Sequence, residues 1–110
     1  FVRIGEYAYI GGMTGIAQDV PPYTLIAGER GRLYGLNIVG LKRQGFSESQ
    51  LSGLKKAFKL IWRSGLRREK AIEHIEQSLG SYPEVMHLVE FLQTSTRGVT
   101  APKSLKKNKE

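Results

Sequence analysis

The sequence predicts a chain in two parts: the last hexapeptide coils of a parallel β-helix, followed by an all-α domain of about three helices. Three observations carry that prediction. Isoleucines recur at a period of six in the first part, at Ile4, Ile10 and Ile16. Residues 1–46 hold most of the glycines, whereas residues 47–97 are rich in Leu, Lys, Glu and Arg at helical spacing. The composition changes at Gly45-Phe46, immediately before a helix-start signal at Ser47.

A period of six fits neither the 3.6 of a helix nor the alternation of an ordinary strand. It does fit a β-helix, in which each hexapeptide forms one flat side of a triangular coil and three units make a turn of about 18 residues. The aliphatic residue then points inward, and the small residue after it (Gly5, Gly11, Ala17) allows the corner. Ala8, Thr14 and Val20 follow four places after each isoleucine, which keeps all three units in register. Three units amount to one coil, and a single coil cannot cover its own core, so further coils are expected N-terminal to Phe1. Pro21-Pro22 lacks backbone donors and redirects the strand, and "TLIAG" (residues 24–28) reads as one more short strand before an exit loop that runs to residue 46.

The helices follow. The first opens at Ser47 with Gln50 three places on, a capping box, and places Leu51, Leu54, Phe58, Ile61 and Trp62 on one face before Gly65 stops it. A second covers roughly residues 67–79, with Ala71, Ile72, Ile75 and Leu79 inward, and ends at Gly80. Pro83 sits in the first turn of the third, which carries Val85, Leu88, Val89 and Leu92 and finishes near Ser95. The expected organisation is therefore a terminal coil and exit loop over 1–46, a helical domain over 47–98, and a disordered basic tail over 99–110.

Composition narrows the functional classes. The 110-residue chain has no cysteine and only two histidines, so it offers no disulfide framework, no thiolate metal site and no histidine cluster. No apolar run approaches the roughly 20 residues of a membrane-spanning helix. The formal net charge is +7, of which the segment "KSLKKNKE" contributes +3, so the remainder is moderately basic and suited to an acidic partner.

Beyond the coil, "GLNIVGLKRQGFS", then "AFKLIWRSG", and later "YPEV" and "FLQTSTRG", agree in order and spacing with one family. From about Ile4 to Gly98 the chain resembles the C-terminal portion of the UDP-N-acetylglucosamine O-acyltransferases, hexapeptide-repeat enzymes of the first step of lipid A synthesis. The resemblance implies a left-handed β-helix with a helical cap, assembled as a cytoplasmic homotrimer without a cofactor or metal. It implies transfer of a 3-hydroxyacyl group from acyl carrier protein to the sugar 3-hydroxyl of UDP-N-acetylglucosamine. The family's general base is a histidine on a β-helix coil, which makes chemical sense because a sugar hydroxyl is a poor nucleophile until its proton is accepted. His74 and His87 fall in predicted helices, so no catalytic residue is assigned, and the segment alone is expected to be inactive.

The same resemblance assigns binding residues. Gly12 matches the position that limits the acyl chain at the end of its groove, and Asn37 and Arg43 match positions around the UDP moiety. A guanidinium offers forked donors to phosphate, and an amide can read a base or ribose. Glu29-Arg30, Val39 and Gln44 depart from the family pattern, which often has Asn-His, a carboxylate and a second arginine there. Lys55, Lys56, Lys59 and Arg63 lie off the apolar face of the first helix, and acyl carrier protein, being acidic, is an expected partner for them. Two other readings stay open at this level: a basic helical module that binds nucleic acid, and a non-catalytic trimerisation element.

Overall fold

A computed structural model describes residues 2–102. Among them the chain forms three strands and four helices: β1 (Tyr9–Ile10), β2 (Thr24–Ala27), β3 (Arg32–Leu36), α1 (Ile38–Arg43), α2 (Glu48–Trp62), α3 (Arg68–Leu79) and α4 (Pro83–Thr94). The three long helices fall where capping and periodicity place them. Ser47 Oγ accepts from the Gln50 amide at 3.1 Å and Gln50 Oε1 accepts from the Ser47 amide at 2.7 Å, so the capping box is complete. Gly80 caps α3, and Pro83 opens α4.

The expected exit loop is more ordered than the sequence suggested. The segment "RLYGL" pairs antiparallel with β2 as β3, with a register irregularity between Leu25 and Ile26, and sends Leu33 into the interior at 2% exposure. The short helix α1 follows it, so the helices number four rather than about three. Asn37 supplies the N-cap that ends β3 and starts α1.

Residues 4–26 pair in parallel. The partners are Ile4 with Val20, Tyr9 with Leu25, and Ile10 with Ile26, each sixteen residues apart instead of the expected 18 or so. The two-residue contraction arises because Val20, only four places after Ile16, takes the next interior slot. It is fully buried, and Pro21-Pro22 then packs against Gly5, whose missing side chain leaves room for the Pro22 ring. Ile10 and Ile16 pack on a buried group of Val20, Ile26, Leu33 and Phe58, as their inward prediction requires, whereas Ile4 stays 50% exposed.

A second and larger core lies among the helices, with Leu54, Ile75, Val85 and Leu88 fully buried and Tyr23 and Leu41 packed in from the N-terminal part. Helix α2 is the wall between the two cores. Leu51, Leu54 and Ile61 face the helical core, while Phe58 turns to the sheet side with its ring centroid 5.0 Å from that of Trp62.

Residues beyond Ser95 return to the sheet. Asp19 forms a parallel bridge with Val99: its amide donates to Gly98 O at 2.9 Å and its carbonyl accepts from the Thr100 amide at 2.8 Å. Leu33 N–H reaches Ala101 O at 3.2 Å. The tail expected from residue 99 therefore begins with a tethered stretch, and its lysine-rich remainder, 103–110, lies outside the described residues.

The Asp19 side chain reinforces this return. It is 1% exposed, its Oδ1 accepts from the Arg3 amide at 2.8 Å, and its Oδ2 accepts from the Ser95 hydroxyl at 2.7 Å. The Arg3 guanidinium lies 4.2 Å from the Phe91 ring centre and donates to Thr94 Oγ1 at 2.9 Å. Burial by itself would raise the Asp19 pKa, but the Arg3 amide, the Ser95 hydroxyl and the positive charges of Arg3 and Arg97 outweigh it and hold the carboxyl below its ordinary 3.8. A carboxyl whose folded pKa is depressed stabilises the fold fully above its unfolded pKa, and that contribution is lost as pH falls through the lower folded value. Asp19→Ala should therefore lower stability at pH 7 by about 2 kcal/mol or more. Its stability should also fall less steeply than that of the parent on acidification below about pH 4; denaturant unfolding at several pH values checks both outcomes, and parallel acid profiles would contradict the assignment.

Candidate functional site

A cleft of about 430 Å³ opens between the strands and α1. Its sheet wall is Tyr9 of β1, Leu25 of β2 and Leu36 of β3, and its helix wall is Asn37, Ile38, Val39, Gly40 and Arg43. The sequence-predicted Asn37 and Arg43 are thus brought together.

Asn37 is a fixed part of this cleft. Its backbone N–H donates to Tyr23 O at 2.8 Å, its side-chain Oδ1 accepts from the Gly40 amide at 3.3 Å, and its Nδ2 donates to Tyr7 O at 3.0 Å. Gly40 makes the clamp possible. A Cβ there would collide with the Asn37 amide, with Cγ only 2.9 Å away. Asn37 is therefore a helix cap and an inter-segment tie before it is anything else, a role its position in the motif did not disclose.

The segments it ties are rigid for their own reasons. Tyr23 is 3% exposed, stacks on Tyr7 at 6.1 Å between centroids, and meets Phe46 edge-on at 5.9 Å. Burial, together with the negative charges of Glu6 and Glu84 and the neighbouring Tyr7, pushes the Tyr23 phenol far above its ordinary pKa, so it stays neutral. Both tyrosines adopt left-handed backbone conformations, with φ of 61° at Tyr7 and 70° at Tyr23, held by this aromatic packing and by the bond from Tyr23 N–H to Glu6 O.

Arg43 is the last residue of α1, exposed, and its side chain makes no ion pair or hydrogen bond among the described residues. Gly12 does not join the cleft. It lies at the exposed corner after β1, has no need of a left-handed backbone, and a Cβ there would meet nothing within 4 Å. Neither crowding nor backbone geometry requires glycine at that corner.

The departures from the family pattern divide. Val39 lines the Asn37 cleft and is 63% exposed, and Gln44 caps α1. Glu29 and Arg30 line a different and larger cleft, about 570 Å³, bounded by residues 15–18, 29–32 and 100–102. That larger cleft contains none of the sequence-predicted binding residues.

On α2, Lys55, Lys56 and Lys59 are exposed, and Lys56 and Lys59 border a shallow depression with Leu60 and with Ser78 and Leu79 of α3. Arg63 turns toward Phe58, its guanidinium carbon 5.7 Å from the ring centre. His74 is exposed on α3, and His87 of α4 has its Nε2 3.3 Å from Glu6 Oε1 and its ring edge-on to Tyr23. Neither histidine lines the Asn37 cleft. Among the described residues no three His, Asp or Glu side chains gather as metal ligands, and no helix is long and apolar enough to cross a membrane.

Comparison with known proteins gives the family. A family model described as Udp N-acetylglucosamine O-acyltransferase, domain 2, matches residues 19–100. An acyl-[acyl-carrier-protein]–UDP-N-acetylglucosamine O-acyltransferase of Anaeromyxobacter sp. (strain K) is 46% identical over 100 residues, covering 91% of this chain and 39% of the relative. The enzyme of the same name from Aquifex aeolicus is 49% identical over 86 residues, covering 78% of this chain and 33% of the relative. Among solved structures, the UDP-N-acetylglucosamine acyltransferase of Francisella novicida superposes with a TM-score of 0.86 at 29% identity, over 94% of this chain and 38% of that one. The Arabidopsis enzyme gives a TM-score of 0.83 at 37% identity, over 91% of this chain and 38% of that one. The chain thus spans between a third and two fifths of the length of such relatives.

The Asn37 clamp can be tested without any ligand. Asn37→Ala should remove the α1 cap and the tie to Tyr7 O, destabilising the protein by about 1 kcal/mol and lowering its thermal midpoint by roughly 4 °C or more. An unchanged midpoint would show that the amide contributes nothing as a cap or tie.

Proposed function

Because this chain belongs to the UDP-N-acetylglucosamine O-acyltransferase family, we propose that it is the C-terminal part of an enzyme that moves a 3-hydroxyacyl group from acyl carrier protein to the 3-hydroxyl of UDP-N-acetylglucosamine. The observation that carries the reading for this segment is the meeting of Asn37 and Arg43 in one cleft. In this reading residues 4–27 form the last coil of a left-handed β-helix, residues 47–98 cap it, and the assembly is a cytoplasmic homotrimer. The sixteen-residue parallel register and the inward packing of Ile10 and Ile16 support the coil.

The roles divide by chemistry. Arg43, exposed and unpaired among the described residues, holds the diphosphate of the nucleotide sugar through charge-assisted hydrogen bonds. Asn37, clamped through Gly40 and Tyr7, fixes the helix that presents Arg43 and offers its remaining amide hydrogen and lone pair to the nucleoside. Gly12 leaves its corner open so that the acyl chain can extend past it; the absence of any neighbour within 4 Å supports that reading over a purely conformational one. Lys55, Lys56 and Lys59 attract the acidic carrier protein, with Arg63 at the edge of that patch against Phe58. The base that takes the proton from the sugar hydroxyl comes from outside residues 2–102, since neither His74 nor His87 lies in the cleft.

Steady-state kinetics of the full-length enzyme test both contacts. Arg43→Ala should raise KM for the nucleotide sugar about tenfold or more, since charge-assisted hydrogen bonds contribute roughly 1.5–3 kcal/mol, with KM for the acyl carrier protein unchanged. Unaltered kinetics would remove Arg43 from the site. Reversing charge at Lys55, Lys56 and Lys59 together should instead raise KM for the acylated carrier protein, most strongly at low ionic strength. A salt-independent response would point away from electrostatic docking there.

A further inference from the structure

The tyrosines near the N-terminus have different surroundings. Tyr7 and Tyr23 are committed to the ring cluster with Phe46. Tyr9, two residues along and on the outward face of its short strand opposite the half-buried Ile10, makes no ring contact and no side-chain hydrogen bond among the described residues. It is 55% exposed, yet it is fixed in place by backbone pairing with Leu25, and it lines the cleft that holds Asn37 and Arg43.

Val39 of α1, 63% exposed, lines the same cleft, with Leu25, Leu36 and Ile38 completing an apolar lining. Polar groups available to read a flat ligand are few. Asn37 already spends one amide hydrogen on Tyr7 O and one lone pair on Gly40 N–H, and none of the described residues lining the cleft is a carboxylate. An exposed aromatic ring, an aliphatic wall and a free guanidinium suit a ligand with a planar aromatic face and an anionic end. A nucleobase carried on a diphosphate has both.

We propose that Tyr9 is the stacking platform for the base of the nucleotide, with Val39 covering the base from the helix side. The inference rests on the nucleotide reading of this cleft and adds to it the residue that holds the nucleoside. The base is then held chiefly by its face, and Arg43 holds the diphosphate. The valine that stands where the family often has a carboxylate enlarges the apolar wall that stacking needs.

Calorimetric titration of the intact protein with UDP and, separately, with inorganic pyrophosphate tests this. Tyr9→Leu, which keeps an apolar side chain but has no π face, should weaken UDP binding roughly tenfold and leave pyrophosphate binding unaltered. Tyr9→Phe should bind UDP within about twofold of the parent, because the ring is retained. Arg43→Ala should weaken both ligands. In parallel, the uracil H5 and H6 resonances should move upfield on binding to the parent and to Tyr9→Phe, but not to Tyr9→Leu, a signature that a merely structural tyrosine would not produce. If Tyr9→Leu binds UDP as the parent does while Arg43→Ala does not, the platform is wrong and the nucleotide site stands. If the parent binds no UDP, or Arg43→Ala changes nothing, the nucleotide reading falls and Tyr9 falls with it.

Discussion

The buried carboxylate of Asp19 joins three stretches that are far apart in the sequence. Its two oxygens take the Arg3 amide and the Ser95 hydroxyl, and its own backbone is bracketed by Gly98 and Thr100. An ionised carboxylate taken out of water is tolerated only when its lone pairs are met, and here two short hydrogen bonds and two arginine charges meet them. The entry to the sheet, the turn into Pro21-Pro22 and the segment after α4 are consequently held to one point. Arg3 extends the attachment by stacking on Phe91 and bonding Thr94, so the end of α4 is fastened to the sheet as well.

With that closure made, the two cores share α2. The helix presents Leu51, Leu54 and Ile61 to α3 and α4, and Phe58 to Val20, Ile26 and Leu33. A single amphipathic stripe is wide enough to serve both because Phe58 stands at its edge, next to the half-buried Trp62. The indole Nε1–H of Trp62 is buried at this shared boundary with no acceptor among the described residues. Gly53 serves the same economy of space: a Cβ there would press on the Tyr82 ring, with Cδ2 2.7 Å away, so its absence lets the start of α4 lie close against α2.

The candidate site inherits its rigidity from these packed parts. Tyr23, buried between sheet and helices, receives the Asn37 amide on its carbonyl and passes the position of the core to α1. Asn37 then sets where α1 begins, and six residues later the helix ends at Arg43. The guanidinium itself is long and solvated, but the Cα from which it extends is held through Asn37 and the buried Leu41. The residue proposed to bind is thereby mounted on a two-segment clamp instead of a free loop, which favours a defined ligand geometry.

What the sequence determined by itself was whatever depends on neighbours along the chain. Ser47 and Gln50 lie within one helical turn, Pro83 needs only its own fixed φ, and the inward faces of α2, α3 and α4 follow from 3.6-residue spacing, so the three long helices were legible. The segment containing Asn37 and Arg43 was legible in another way, through motifs in order, and these carried the family. β3 was not, because "RLYGL" holds one fully interior residue and becomes a strand only by pairing with Thr24–Ala27. Nothing along the chain marks the exposed Tyr9 for the same reason: only folding brings β1 and α1 to one cleft and makes its side chain a wall. Asp19 in "QDVPP" carries no local mark of its role. Its burial depends on Ser95, which lies 76 residues away, and no local pattern records a partner at that distance. Local spacing thus fixed the helices, and long-range pairing decided how the chain closes and which side chains share the cleft.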